Sequence, residues 1–339
     1  MVTTVASPPV RLARQLSTGT PDSILPSELP GTVKDALELA VTLGRRWFET
    51  PPPTRQRWEV LATLAAHDLG VARAVEPHLD AVEILSQSGN ALPTGAWGVF
   101  AAEGGDDPLT AHQTGHGWTL TGTKPWCSLA GQLDAALVTA TTDDGTRQLF
   151  AVDLASDGVH VLPEQWHARG LVEIPSGPVA FLSVSAVPVG ERGWYLTRPG
   201  FAWGGIGVAA CWYGGAVGIA RTVHAAAVTR PNPFLLSHLG AIDEGLQSAR
   251  RALTEAAEFI DTGHADDPRI LAKRVRATVA RVCDDVVERT GRALGPAPLA
   301  TDEAHAKRVA DLQLYVRQHH AERDLESLGS AISAGDAPW

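Results

Sequence analysis

The sequence has 339 residues, of which 44% are apolar and 19% charged, with a formal net charge of −10 at pH 7. That length and composition fit a globular chain of two or three structural units around one sizeable core. No basic run exceeds Arg45-Arg46 or Arg250-Arg251, so nucleic acid and anionic membranes are excluded as natural partners.

The first thirty residues, beginning MVTTVASPPVRLARQLSTGT, contain no apolar h-region and read as a flexible tail, and a cytoplasmic location is expected. Residues 31–49 and 54–88 carry apolar side chains at helical spacing, as in Trp58, Leu61, Leu64 and Ala65. Pro51-Pro52-Pro53 breaks the first of these helices from the second. They form a short N-terminal helical domain over 31–94. After the turn cluster NALPTGAW the period changes, and short β-type runs follow: WGVFAA, LTAHQT, WTLTGT, LDAALVTA, RQLFAVDL, GVHVL and VAFLSVSAVPVG. Spaced by Gly, Asp and Pro turns, they predict a compact antiparallel barrel or sandwich over 95–198. From 199 to 339 the pattern is helical again, in segments near 201–229, 235–263, 268–294 and 302–329, which predict a bundle. The uncharged stretch 200–220 is about long enough to span a bilayer. Its seven glycines favour a buried helix approached closely by others, through Gly207, Gly214 and Gly218. The fold expected is therefore α+β: helices, a strand block, then a helical bundle.

Cys127, Cys211 and Cys283 are far apart and form no CxxC, so neither a disulfide framework nor a metal site is indicated. There is no GxGxxG at a strand-to-helix turn and no GxxxxGK[ST], which removes Rossmann and P-loop nucleotide sites. The stretch that asks for an explanation is Lys124-Pro125-Trp126-Cys127-Ser128, where a large flat ring stands beside a thiol and a hydroxyl at the end of a strand. It is either a core aromatic or a platform for a flat ligand.

With its α–β–α order and the pair WGVFAAEGGDD (97–107) and WTLTGTKPWCS (118–128), the chain resembles the acyl-CoA dehydrogenase superfamily from about residue 30 to 330. The resemblance implies that both strands line the isoalloxazine ring of FAD. The residues concerned are Trp97, Val99 and Phe100 from the first, with Trp126, Cys127 and Ser128 from the second. Trp126 would supply a flat neighbour and the Ser128 hydroxyl a donor near N5. Segment 229–243, TRPNPFLLSHLGAID, resembles the part of the family that reaches into a neighbouring subunit. It implies Arg230 and Phe234 at the FAD diphosphate and adenine of a homodimer or homotetramer. The family's glutamine falls near Leu239 or Gly240 and is absent, and Pro296 replaces a glycine of the closing segment, where Gly295, Arg308 and Asp311 remain.

The same resemblance locates a missing part. An acyl-CoA dehydrogenase abstracts an α-proton with a carboxylate. One family position for it falls at or near Val208, in a stretch without any acid; the other falls on His319. Glu322 and Asp324 are about a turn further along a continuous helix, roughly 5 Å away. A histidine here resembles the monooxygenase-like branch, whose members use reduced flavin from a separate reductase. Glu103 reads as an exposed loop acid, and Asp80 and Glu83 as a solvated helix face. The expectation is an FAD-dependent oxidoreductase acting on an acyl thioester or related small molecule, with an electron-transfer flavoprotein or flavin reductase as partner. The alternatives are a reduced-flavin monooxygenase and a non-catalytic scaffold of the same fold.

Overall fold

The computed structural model describes residues 8–12, 24–104, 107–162, 166–263 and 267–335. Helix α1 (Val33–Glu49) starts where the Thr32 hydroxyl accepts the Asp35 N–H, and it buries Leu37, Leu43 and Trp47. The next predicted helix is two: α2 (Thr54–His67) and α3 (Leu69–Gln87). They part at Asp68, whose extended backbone lets its carboxylate accept the Gly70 and Val71 N–H groups. Both sides of that cap are apolar, so the hydrophobic period alone hides the break. Residues 8–12, expected in the loose tail, are docked. The Val10 and Leu12 N–H groups donate to Thr63 Oγ1 (3.0 Å) and Glu59 Oε1 (2.9 Å), and Leu12 is fully buried. Much of the remaining tail, 1–7 and 13–23, lies outside the described residues.

Seven strands follow: β1 (Trp97–Phe100), β2 (Thr110–Thr114), β3 (Gly117–Lys124), β4 (Ala135–Thr142), β5 (Arg147–Asp153), β6 (Val159–Val161) and β7 (Val179–Val189). Pairing runs β4-β2-β3-β7-β5 and returns to β4, which closes a five-stranded ring. The expected all-antiparallel block is thereby corrected, because β1 and β2 both lie parallel to β4, at successive stretches of one edge. A bulge in β3 falls at Gly122, whose φ of 119° only glycine adopts easily; a Cβ there would meet the Pro108 carbonyl oxygen at 2.7 Å. Phe100, Leu120, Phe150, Phe181 and Val184 fill the ring. A second apolar layer, Ala81, Ile84 and Leu85 against Leu137, Leu149 and Tyr195, seats α3 on its outside. The buried Lys124 ammonium donates to the Thr139 carbonyl (2.7 Å) and hydroxyl (2.8 Å) and pairs with Glu103, which also holds Arg147.

After a short α4 (Trp194–Thr197), the long α5 (Pro199–Thr229), α6 (Pro233–Thr262) and α7 (Pro268–Leu294) match the expected segments. Helix α5 is the one described helix apolar enough to cross a membrane, and 78% of its most apolar window is buried within the protein. It packs on α2 through the glycines: a Cβ at Gly214 or Gly218 would meet the Ala62 or Ala66 carbonyl oxygen at 2.2 or 2.8 Å. The last predicted helix is broken into α8 (Ala297–Thr301), α9 (Glu303–Tyr315), a 3₁₀ turn (Val316–Gln318) and α10 (Glu322–Ser333). The break is at 319–321, where Ala321 takes a positive φ of 45°.

Candidate functional site

Where β3 ends, the chain turns through 125–132. Trp126 sits in the left-handed region (φ 59°), rare for a bulky residue, and its ring is 62% exposed. This disposes of the core-aromatic alternative. The neighbouring residue points the other way. Cys127 is buried, its thiol on the Lys124 carbonyl and its N–H on Gly177 O, and burial pushes the thiol up to about 12. The Cys127 side chain, expected at the flavin, packs inside the ring. The Phe100 side chain, expected to line the flavin, is turned into the same core by strand alternation. Trp97 and Val99 face outward from the ring, toward the apolar layer under α3. The Trp97 N–H donates to His78 Nδ1 (3.1 Å), and burial lowers His78 to about 4, so its imidazole is neutral.

Ser128 does not offer a free donor. Ser176 Oγ gives its proton to the Ile174 carbonyl (3.1 Å), so Ser128 donates to Ser176 (2.7 Å) and accepts from Arg73 Nη2 (2.9 Å). Arg73 brings α3 into the site. Helical spacing puts Glu76 and Asp80 on its face, at i+3 and i+7. Pro77 between them lacks the N–H that would satisfy the Arg73 carbonyl.

Asp80 is correspondingly not on a solvated face. It is partly buried and pairs with Arg198 at 3.6 Å, and burial raises it to about 6 despite that guanidinium. Glu83 does lie toward the surface, paired with Arg57 at 2.7 Å. Glu76 is 9% exposed; burial raises it to about 7, opposed by Arg73 and Arg276 and reinforced by Asp80.

Facing this stripe are α5, α7 and the end of α9. The Arg276 guanidinium lies 4.6 Å from the centre of the Trp212 ring and donates to Gly205 O (2.6 Å) and Gln318 O (3.0 Å). Tyr315 packs edge-on to Trp212 beneath Arg73. Among the described residues, two buried polar atoms in this cluster have no hydrogen-bond partner, Trp212 Nε1 and His319 Nε2, while the Tyr315 hydroxyl lies against the Cys211 thiol. His319 is in the break after the 3₁₀ turn, its Nε2 3.9 Å from Asp324 Oδ2, with its pKa lowered by burial. The broken helix thus brings Asp324 to His319, although a continuous helix would have held the two a turn apart.

Arg230 and Phe234 are both exposed at the turn between α5 and α6, Phe234 by 82%. Asp311 serves elsewhere: with Asp68 and Glu173 it forms a carboxylate trio that could hold a cation. Lys307 Nζ already fills it, at 3.0 Å from Asp68 and 2.7 Å from each of the others. Sequence reasoning missed Arg73, Glu76, Arg276 and Tyr315. The available signal was the charged stripe Arg73-x-x-Glu76-x-x-x-Asp80 in the middle of a largely apolar helix.

No protein-family model matches the chain. An acyl-CoA dehydrogenase of Mycobacterium tuberculosis, FadE27, is 34% identical over 119 residues, 30% of this chain and 31% of that protein. The chain therefore matches about a third of its curated relative's length. The butyryl-CoA dehydrogenase of Megasphaera elsdenii superposes with a TM-score of 0.78 at 18% identity, covering 88% of this chain and 89% of the other. The dibenzothiophene monooxygenase TdsC of Paenibacillus sp. A11-2, solved with FMN and indole, gives a TM-score of 0.77 at 16% identity over 88% and 90%. The chain is thus acyl-CoA dehydrogenase-like, with the fold of that superfamily along most of its length and shared sequence over part of it.

Proposed function

We propose that the protein is a flavin-dependent oxidoreductase acting on an acyl thioester or a related small molecule, with FAD as its flavin. The observation that carries the reading is the Trp126 ring, held outward on left-handed backbone beside the Arg73–Ser128 pair. These residues fit a flavin in the flat apolar face they offer and in the cationic donor next to it. Ser128 fits less well, since its proton is committed to Ser176, and Arg73 is the donor left in its place. A bound flavin supplies two-electron acceptor chemistry. The chain's own part is to stack the ring on Trp126 and to set Glu76, Tyr315 and His319 around a substrate beside it. Arg230 and Phe234 would extend to the diphosphate and adenine on a second copy, in a homodimer or homotetramer. Likeness to a butyryl-CoA dehydrogenase supports the thioester, with an electron-transfer flavoprotein as the expected electron acceptor.

A second reading, a monooxygenase served by a flavin reductase, is favoured by the unpartnered His319 Nε2 and by likeness to TdsC. Titrating the purified protein with FAD and with FMN tests the proposal. FAD should quench tryptophan fluorescence saturably and raise Tm, more than FMN does. Absence of binding at high micromolar concentrations of either would leave only a flavin-free scaffold. Supplying reduced flavin and oxygen separates the two catalytic readings, since only the second inserts oxygen into a product.

A further inference from the structure

The superfamily's α5 carboxylate is absent, yet the structure places a carboxylate beside the same position from another helix. A Cβ on Gly204 of α5 would lie 3.1 Å from Asp80 Oδ1. Further along α5, the buried Cys211 thiol is within the electrostatic reach of Glu76. The two helices therefore run past each other in opposite directions, and Glu76, one turn from Asp80, comes alongside Val208. We propose that Glu76 on α3 is the proton-accepting base of this site and takes the place of the acid missing from α5.

Three observations support it. Asp80 is held by Arg198, but among the described residues no hydrogen bond engages the Glu76 carboxyl, although it is nine-tenths buried. Arg73 links the same helical face to the Trp126–Ser128 turn, so Glu76 lies one turn from the expected ring. Arg276, which acts on Glu76 from α7, lies on the Trp212 ring, whose buried Nε1 has no hydrogen-bond partner among the described residues, so polar capacity is left unused in the interior beside Glu76. The charged and titratable groups around Glu76 are Arg73 and Asp80 on its own helix, Arg276 on α7, Cys211 on α5, Tyr315 on α9 and Tyr195 on α4. A carboxyl raised to about 7 is matched to proton transfer near neutrality.

The step is a proton transfer alone. The C–H bond α to the substrate carbonyl breaks, its electron pair stays on the substrate as an enolate, and the proton moves to a Glu76 carboxylate oxygen. Because the assignment rests on the flavin-enzyme reading, its test needs no turnover. Phenylacetyl-CoA is incubated with FAD-loaded protein in D₂O at pD 8, and α-deuterium uptake is followed by NMR. Flavin absorbance is recorded on the same samples. Wild type should exchange, Glu76→Gln should lose at least about 100-fold, Glu76→Asp should be intermediate, and Glu83→Gln on the same helix should match wild type. Infrared difference spectra without flavin should show a protonated-carboxyl band titrating between pH 6 and 8 that Glu76→Gln removes. The proposal is overturned if Glu76→Gln exchanges like wild type, if the band survives it, or if flavin-loaded wild type exchanges no deuterium. Absence of bound flavin with the infrared band intact would instead sink the flavin reading and spare the buried carboxyl.

Discussion

Trp126 owes its position to backbone as much as to chemistry, since the turn that places it in the left-handed region also sends Cys127 inward. Replacing it should cost the ligand more than the fold. Trp126→Ala is expected to weaken FAD binding about tenfold, the worth of one aromatic stack, with Tm of the ligand-free protein nearly unchanged; fluorescence titration and a thermal melt check both. Glu76 makes the complementary case. Its carboxyl rises from 4.5 to about 7 on folding, so the folded state holds a proton that the unfolded chain releases. Its contribution is thus fully present below pH 4.5 and lost as pH rises through 7. His78, lowered to about 4, has the opposite sign: its contribution is lost as pH falls below 6.5. Glu76→Gln should therefore match wild type near pH 4.5 and exceed it at pH 8 by roughly 1–3 kcal/mol, measured by urea unfolding at each pH. A variant no more stable at pH 8 would mean that the carboxyl is solvated.

Among the elements, the contact of α2 with α5 depends on atoms that are missing. Gly214→Ala should destabilise by about 1–3 kcal/mol, because the added methyl meets a backbone oxygen that cannot move aside. Gly240→Ala, in open space on α6, should instead gain about 0.5–1 kcal/mol; equal urea midpoints for the two would contradict the close approach. Those glycines were legible in the sequence, as were the order of helices and strands and the seam at Pro51–Pro53. What escaped reading has physical reasons. The Asp68 break hides between two apolar runs, and the parallel placement of β1 and β2 on β4 leaves no mark in a period-2 pattern. At the site, Trp126 was legible because a flat ring at the end of a strand is unusual. The inward turn of the Phe100 and Cys127 side chains was not legible, because a motif names residues without saying which side of the strand each takes. Glu76 was missed because its meaning comes from Arg276, Tyr315 and Cys211, which only the fold brings to it.

For the whole molecule, Phe234 and Val228 stand 82% and 71% exposed around the α5–α6 turn, an apolar edge that a second copy would cover. Phe234→Asp is expected to weaken self-association at least tenfold, since burying a phenylalanine is worth about 1.5–3 kcal/mol. In light scattering the variant should approach the 35.8 kDa monomer mass and bind FAD no better than FMN. A wild type already monomeric at all concentrations would remove the role given to Arg230 and Phe234. The three cysteines, finally, are distributed one to the barrel, one to α5 and one to α7, all buried and all with thiols raised by burial. Thiolate is the reactive form, so the native protein should be silent to maleimides and peroxide alike. Each sulfur then becomes a clock for its own layer. Under mild denaturant, the order in which Cys127, Cys211 and Cys283 take up label would read out which part of the molecule opens first, without any introduced probe.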